Sequence, residues 1–178
     1  MVQRGRRKNL RVLVLGEVHP EYLFDFGERD PGDKEWLGRL LLAEEMSRGT
    51  RRALEHFQAD RIYLEARPII GLLGRAITGA RRPNHKRFFF VEGEYDPDRL
   101  TSREREVNMA RVLKERLLAH PSRSLALVCG AEHAERVGRM LFRNFRRDGR
   151  IQVVVRYVPL PPVVEKEFPR WVPASYSA

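Results

Sequence analysis

The sequence predicts an α/β fold: a mostly parallel β-sheet flanked by helices, an active cleft at the carboxyl ends of the strands, and an extended Pro-rich C-terminal tail. Two observations predict this class. Four short aliphatic runs have the composition of buried strands, and they alternate with segments whose apolar residues recur at helical spacing. Because strands separated by helices usually pair in parallel, we expect a mostly parallel sheet. The four predicted strands are residues 10–15, 61–66, 125–129 and 151–158.

The first predicted helix follows a loop that is rich in proline and glycine. Asp33 suits its N-cap position. Residues 47–50 are polar, so a break is expected in the middle of this helix. The apolar positions at helical spacing are Trp36, Leu37, Leu40, Leu41, Leu54 and Phe57.

Two further helices and one ambiguous segment follow. Thr101 or Ser102 begins the second helix, with Glu104 placed for a capping interaction. The third helix is predicted over residues 133–147, and residues 88–91 form either a short strand or a packing plug. The predicted buried face of the second helix comprises Val107, Ala110, Leu113, Leu117 and Leu118, and that of the third comprises Ala134, Val137, Leu141 and Phe145.

Length and composition predict one compact domain over residues 10–158. The chain has 178 residues, of which 42% are hydrophobic, enough for a substantial core. Residues 1–9 are expected to form a disordered basic arm, and residues 159–178 a tail with five prolines. The single cysteine, Cys129, excludes an intramolecular disulfide framework. Because no apolar run approaches the ~20 residues of a membrane span, we expect a soluble, cytoplasmic protein.

The net charge of +10, with 29 Arg and 5 Lys, raises the question of nucleic-acid binding. The basic residues are scattered rather than arranged in a stripe, so this partner is not favoured. A basic segment before Phe88 to Phe90 is the candidate patch, with Arg81, Arg82, His85, Lys86 and Arg87. The tail could dock on a second copy of the chain, which would make a homo-oligomer, or pack back on its own domain.

Two strand ends share the pattern Gly-x-x-His. The first predicted strand ends in Gly16-Glu17-Val18-His19, and the third ends in Gly130-Ala131-Glu132-His133. Glycine allows a tight turn, and the carboxyl ends of parallel strands meet at one edge of a sheet. We therefore expect His19 and His133 to meet there, although 114 positions separate them, with Gly16 and Gly130 as candidate cofactor-binding positions.

Glutamates at the same strand ends would give the two histidines anionic partners. Glu17 lies inside the first turn, and Glu65 ends the second predicted strand. The set His19, Glu65 and His133 suits a divalent metal such as Zn²⁺, Mn²⁺, Co²⁺ or Fe²⁺, whose bound water would act as nucleophile. Alternatively, one histidine serves as a general base with no metal.

The ordered motifs GEVH, LEA, RExxMA and GAEH resemble the TraB/PrgY family. That family is related to the Tiki metalloproteases and, more distantly, to erythromycin esterase and the ChaN haem-binding lipoproteins. The matching residues are Gly16, Glu17, His19, Glu65, Arg105, Glu106, Met109, Ala110, Gly130, Ala131 and His133. The resemblance implies an α/β fold with the paired Gly-x-x-His motifs at the active site.

By this resemblance, His19 and His133 would be metal ligands or bases, and Glu17 and Glu65 their acidic partners. Arg105 would be the cationic residue of the site, able to hold a carboxylate or a developing oxyanion. The leading hypothesis is metal-assisted hydrolysis of a peptide or ester bond in a small-molecule or peptide substrate. The alternatives are a non-catalytic module that binds haem or an anionic ligand in the same cleft, and nucleic-acid binding through the Arg-rich surface.

Overall fold

The computed structural model describes residues 10–23, 34–65, 79–83, 87–91, 101–120, 124–146, 149 and 151–163. The predicted basic arm, residues 1–9, and residues 164–178 of the predicted tail lie outside these ranges. The described helices and strands, in chain order, are β1 (Leu10–Glu17), α1 (Lys34–Phe57), β2 (Arg61–Leu64), β3 (Arg87–Phe90), α2 (Ser102–Ala119), β4 (Leu125–Gly130), α3 (Ala131–Phe145) and β5 (Ile151–Tyr157). A 3₁₀ turn, Pro20–Leu23, follows β1.

The five strands form one sheet in the order β3-β2-β4-β1-β5, and every neighbouring pair is parallel. The predicted α/β class is therefore confirmed. Residues 87–90 form the strand β3 at one edge, which resolves the ambiguity over the phenylalanine run. In the central pair, Gly16 of β1 is opposite Cys129 of β4, and Glu17 is opposite Gly130.

Both faces of the sheet are buried, because alternate residues of each strand pack against different helices. Val12, Val14 and Leu127 belong to the core on the α2 and α3 side, whereas Leu13 and Leu15 belong to the core on the α1 side. This explains why β1 and β4 are continuous aliphatic runs rather than alternating ones. Cys129 lies in the first of these cores and is fully buried, as the apolar run around it predicts.

Helix α1 has no break in the middle, contrary to the prediction from residues 47–50. Ser47 and Thr50 are both fully buried, and Thr50 donates a hydrogen bond to Glu17. Thr50 therefore faces the end of β1, and the helix continues through this segment without interruption. Two of the predicted apolar positions, Leu37 and Leu41, are exposed.

Helix α2 begins at the predicted N-cap, where Thr101 forms a capping box with Glu104. Three residues of its predicted buried face, Ala110, Leu113 and Leu117, are buried. Val107 and Leu118, also expected to be buried, are 50% and 59% exposed. The full buried stripe comprises Glu106, Met109, Ala110, Val112, Leu113 and Leu117. An acidic residue, Glu106, therefore occupies an inward position of this helix.

After the two central strands, β1 and β4, the chain continues to opposite faces of the sheet. Helix α1 follows β1 and packs on one face, whereas α3 follows β4 and packs on the other. At such a point a crevice opens beyond the carboxyl ends of the two strands, and ligands of open α/β sheets bind in that crevice. Helix α3 begins at Ala131, directly after β4, so His133 lies in its first turn.

No helix in the described ranges combines the length and the apolar composition needed to cross a membrane.

We predict that Gly138→Ala destabilises the protein because α3 and β5 pack too closely for a side chain there. A Cβ at Gly138 would lie 2.3 Å from Cγ2 of Val155, and valine is stiff at χ1. Overpacking of this kind costs about 1–3 kcal/mol. Urea denaturation should show this loss, and Val155→Ala in the same chain should restore most of it.

Gly38→Ala in α1 is the matched control. Apart from its chain neighbours and the backbone of α1 itself, no described atom lies within 4 Å of a Cβ at that position. The higher helix propensity of alanine should therefore raise stability by up to about 1 kcal/mol. Equal effects of the two substitutions would contradict the close packing of α3 on β5.

Candidate functional site

The two Gly-x-x-His turns lie side by side at the crevice between β1 and β4. A Cβ on Gly130 would be 3.4 Å from Nε2 of His19 and 3.4 Å from Cδ2 of His133. Nε2 of His19 and Cδ2 of His133 therefore lie within twice 3.4 Å of each other. The absence of a side chain at Gly130 leaves a gap between the two imidazoles. The structure thus brings together the two histidines that the sequence pairs.

Glu65 lies directly after β2 and is the centre of this cluster. Its side chain is 1% exposed, and Oε1 accepts a 2.7 Å hydrogen bond from Arg105. Its other oxygen accepts a 2.7 Å hydrogen bond from the backbone N–H of Gly130. Nε2 of His19 lies 3.4 Å from Oε2, and Nε2 of His133 lies 3.5 Å from Oε1. One buried carboxylate thus contacts both histidines and an arginine.

Glu17, at the end of β1, is held by a different arginine, Arg81, which is buried. Arg81 contacts Oε1 of Glu17 at 2.8 Å, and both side chains are 4% exposed. Thr50 of α1 donates a hydrogen bond to the other carboxylate oxygen. Nδ1 of His19 lies 3.4 Å from Oε1. Glu17 therefore joins α1 and the segment around Arg81 to the first turn.

His133 is oriented by Glu106 of α2. Its Nδ1 lies 3.0 Å from Oε1 of Glu106, and both side chains are buried. Oε1 of Glu132, whose side chain is 73% exposed, lies 3.3 Å from Nε2 of His133. Arg136 contacts the same Glu106 oxygen at 3.3 Å. The ring of His133 is therefore fixed through Nδ1, and its Nε2 faces the centre of the cluster.

The charges of the cluster shift three pKa values. Burial opposes the charged form of each group, but the partners outweigh it. Arg81, His19 and Thr50 lower the pKa of Glu17 below its ordinary value. Contacts with Glu17 and Glu65 raise the pKa of His19 to about 10. Contacts with His19 and the N–H of Gly130 lower the pKa of Glu65 to about 2. His19 is therefore an imidazolium at neutral pH.

The predicted metal set, His19, Glu65 and His133, does not fit a divalent cation in this arrangement. No group of three or more acidic, histidine or cysteine side chains in the described part of the chain has the geometry to hold a metal ion. The carboxylate of Glu65 already accepts hydrogen bonds on both oxygens, one of them from the guanidinium of Arg105. A dication would have to compete with that positive charge. These contacts favour the alternative in which a histidine acts as general base without a metal.

The cluster contains all five residues predicted for catalysis, namely Glu17, His19, Glu65, Arg105 and His133. Gly16 and Gly130, predicted to bind a cofactor, are backbone positions of the two turns. A Cβ on Gly16 would lie 2.8 Å from Tyr157 and 2.9 Å from Ala134, so this glycine permits close packing rather than lining the gap. A haem iron would require a ring nitrogen of His19, yet both of them face carboxylates.

Sequence reasoning missed Arg81 and Thr50, and it named Glu106 only as part of the RExxMA motif, without a role. Arg81 belongs to the segment considered for nucleic-acid binding, but it is 3% exposed and pairs with Glu17. Thr50 belongs to the predicted helix break. Glu106 carried a usable signal, because an acidic residue stands at helical spacing with the apolar residues Met109, Ala110 and Leu113.

The phenylalanine run beside Arg81 also belongs to the core. Phe89 stacks on Tyr63 with ring centroids 5.3 Å apart, and Phe88 and Phe90 pack on the opposite face of the sheet. All three rings are partly buried against the two cores rather than presented together on one surface. Residues 84–86, which include the basic His85 and Lys86, lie outside the described ranges.

Comparison with protein-family models, with curated proteins and with solved structures found no match to this chain.

The raised pKa of His19 predicts a pH-dependent contribution to stability. The imidazolium contributes fully below the ordinary pKa of 6.5, and this contribution is lost as pH rises from there to about 10. The stability difference between the native protein and His19→Gln should therefore shrink over that interval in urea denaturation series. His56→Gln, at an exposed position of α1, controls for the loss of a histidine. A difference that is constant from pH 6.5 to 10 would contradict the assignment.

Proposed function

We propose that this chain is a hydrolase that cleaves an ester or peptide bond with a histidine base and without a metal. The observation that supports this best is the convergence of His133, its partner Glu106, and the cations His19 and Arg105 around one gap at the carboxyl ends of the strands. A general base, a group that orients it, and positive charges beside a developing oxyanion are the parts such a reaction requires.

His133 is the proposed general base. Its Nδ1 faces the buried Glu106 at 3.0 Å, and this contact leaves Nε2 to accept a proton. A carboxylate that orients an imidazole in this way fixes its tautomer and stabilises the imidazolium that forms during the reaction. The 3.3 and 3.5 Å separations of Nε2 from Glu132 and Glu65 are longer than ordinary hydrogen bonds.

His19 and Arg105 are the proposed oxyanion-stabilising groups. Their side chains are 20% and 26% exposed, whereas Glu65 between them is 1% exposed. The substrate would therefore approach the cluster from the side that these two cations border. Cations held in advance by buried carboxylates stabilise negative charge without reorganising during the reaction. For Arg105 this is the role that the resemblance to the TraB/PrgY family implies, whereas for His19 the resemblance implies a metal ligand or a base.

The proposed reaction needs only water and substrate. Nε2 of His133 takes a proton from a water molecule while the water oxygen bonds to the carbonyl carbon. The carbonyl π electrons move to the oxygen, which becomes an oxyanion beside His19 and Arg105. When the carbonyl re-forms, the bond to the leaving oxygen or nitrogen breaks, and His133 returns the proton to the leaving group. The products are an acid and an alcohol or amine.

Hydrolysis of p-nitrophenyl esters by purified protein tests this proposal. We predict that His133→Asn lowers kcat by about 10²–10⁴-fold, the usual contribution of a general base. Glu106→Gln should lower kcat by a smaller factor and shift the pH profile, because it changes the partner of the base. His56→Asn, far from the cluster on the exposed face of α1, should leave kcat unchanged.

The same assay decides whether a metal takes part. Activity that persists after EDTA treatment, in protein without stoichiometric zinc, manganese or cobalt, supports the metal-free reaction. Activity that is lost with EDTA and restored by one of these metals would overturn it in favour of the metal-assisted hypothesis. Equal activity of His133→Asn and the native protein would overturn the hydrolase proposal for this site.

We predict that Gly130→Ala blocks the reaction without unfolding the protein. Gly130 has φ −54°, which alanine adopts readily. The new methyl would make ordinary contacts at 3.4 to 3.6 Å with His19, His133 and Glu65, but it would occupy the gap proposed for the attacking water. We expect kcat to fall by about tenfold or more with little change in thermal stability. Unchanged kcat would show that this gap is not where the water attacks.

A further inference from the structure

A second feature of the molecule is a basic groove between α2 and α3, outside the histidine cluster. It has a volume of about 320 Å³ and is lined by Arg103 and Glu106 of α2 and by Arg136, Arg139, Met140 and Arg143 of α3. We call it the arginine groove. The α3 residues recur at positions i, i+3, i+4 and i+7, so one stripe of that helix forms the wall.

The positive charge of the arginine groove is only partly neutralised. Arg136 contacts Glu106 at 3.3 Å, and Arg139 contacts Glu135 at 2.9 Å. Arg103 and Arg143 have no acidic partner among the described residues. Four arginines against one lining glutamate leave the lining with a net charge of +3. Like charges this close repel one another, so the arrangement costs free energy until an anion enters the groove.

The shape and chemistry of the groove indicate the class of ligand. Its volume is at the small end of the range of small-molecule sites, about 300–1,000 Å³. Guanidinium groups bind phosphate oxygens in pairs of parallel hydrogen bonds, which favours phosphate over a single carboxylate. We infer that the arginine groove binds a small molecule with two or more phosphate groups, either an inorganic oligophosphate or the phosphate portion of an organic ester.

This site stands apart from the proposed hydrolysis, because only Glu106 belongs to both. The arginines of α2 and α3 form the groove, and binding there needs no reaction at the histidines. A binding measurement can therefore succeed or fail independently of any measurement of ester hydrolysis.

Isothermal titration with sodium tripolyphosphate at constant ionic strength tests the inference. The native protein should bind one tripolyphosphate per chain. The double variant Arg139→Gln/Arg143→Gln should bind it about tenfold or more weakly, as expected when charge-assisted hydrogen bonds are lost. Both arginines are exposed, so circular dichroism should show an unchanged fold.

The matched control is Arg48→Gln/Arg52→Gln on α1, which packs on the opposite face of the sheet. Each double variant removes one arginine that pairs with a glutamate at i−4, namely Arg139 with Glu135 and Arg48 with Glu44, and one arginine outside such a pair. The control should bind tripolyphosphate within about twofold of the native protein, since distant exposed charges are screened.

Three outcomes would overturn the inference. The first is no saturable binding up to about 10 mM tripolyphosphate, a concentration at which even a weak site would fill. The second is equal weakening in both double variants, which would show attraction to net charge alone. The third is binding of a single-stranded RNA, weakened only by the groove variant, without binding of tripolyphosphate; this result would assign the groove to nucleic acid. A comparison of two ligands distinguishes the two sources of phosphate. Tighter binding of adenosine triphosphate than of tripolyphosphate would identify an organic ester as the ligand. Tighter binding of tripolyphosphate would identify an inorganic oligophosphate.

Discussion

The buried carboxylate of Glu65 is the interaction on which the candidate site depends. It lies at the end of β2, accepts hydrogen bonds from Arg105 and the backbone of Gly130, and contacts both histidines. A lone buried carboxylate would be costly, and the surrounding cations remove that cost. In return, the carboxylate holds residues from the turn after β1 and from β4, α2 and α3 in one place. The chain segments that carry these residues are therefore linked by charge as well as by apolar packing.

The parallel sheet explains why residues so far apart in sequence can meet. Strands β2, β4 and β1 are neighbours, and all three end at the same edge. Glu65, Gly130 and Glu17 stand at or directly after those ends, so the register of the strands sets their spacing. The divergence of α1 and α3 to opposite faces opens the crevice into which the two histidines project. The position of the site follows from topology before any side-chain contact is considered.

The fold and the centre of the site could be predicted because they depend on local patterns. Aliphatic runs that end in glycine marked β1 and β4, and the repeated Gly-x-x-His turn marked His19 and His133. Arg81 and Thr50 could not be predicted, because their roles depend on which distant residue they meet after folding. Glu106 was accessible in principle, since a charge on the apolar stripe of a helix requires a buried partner. The wrong assignment of Val107 to the buried face of α2 has the same origin, because Val107 fits an apolar stripe better than Glu106 does when partners are ignored.

Cys129 gives the candidate site an internal reporter. It is fully buried in β4, one residue before Gly130, and burial together with the nearby glutamates raises the pKa of its thiol well above the ordinary value. Only the thiolate reacts with alkylating reagents. The native sheet therefore protects this sulfur in two ways: burial keeps the reagent away, and the raised pKa keeps the thiol protonated. Cys129 is also the only cysteine of the chain. The rate at which it is alkylated therefore measures how often the central strand beneath the two imidazoles separates from its neighbours.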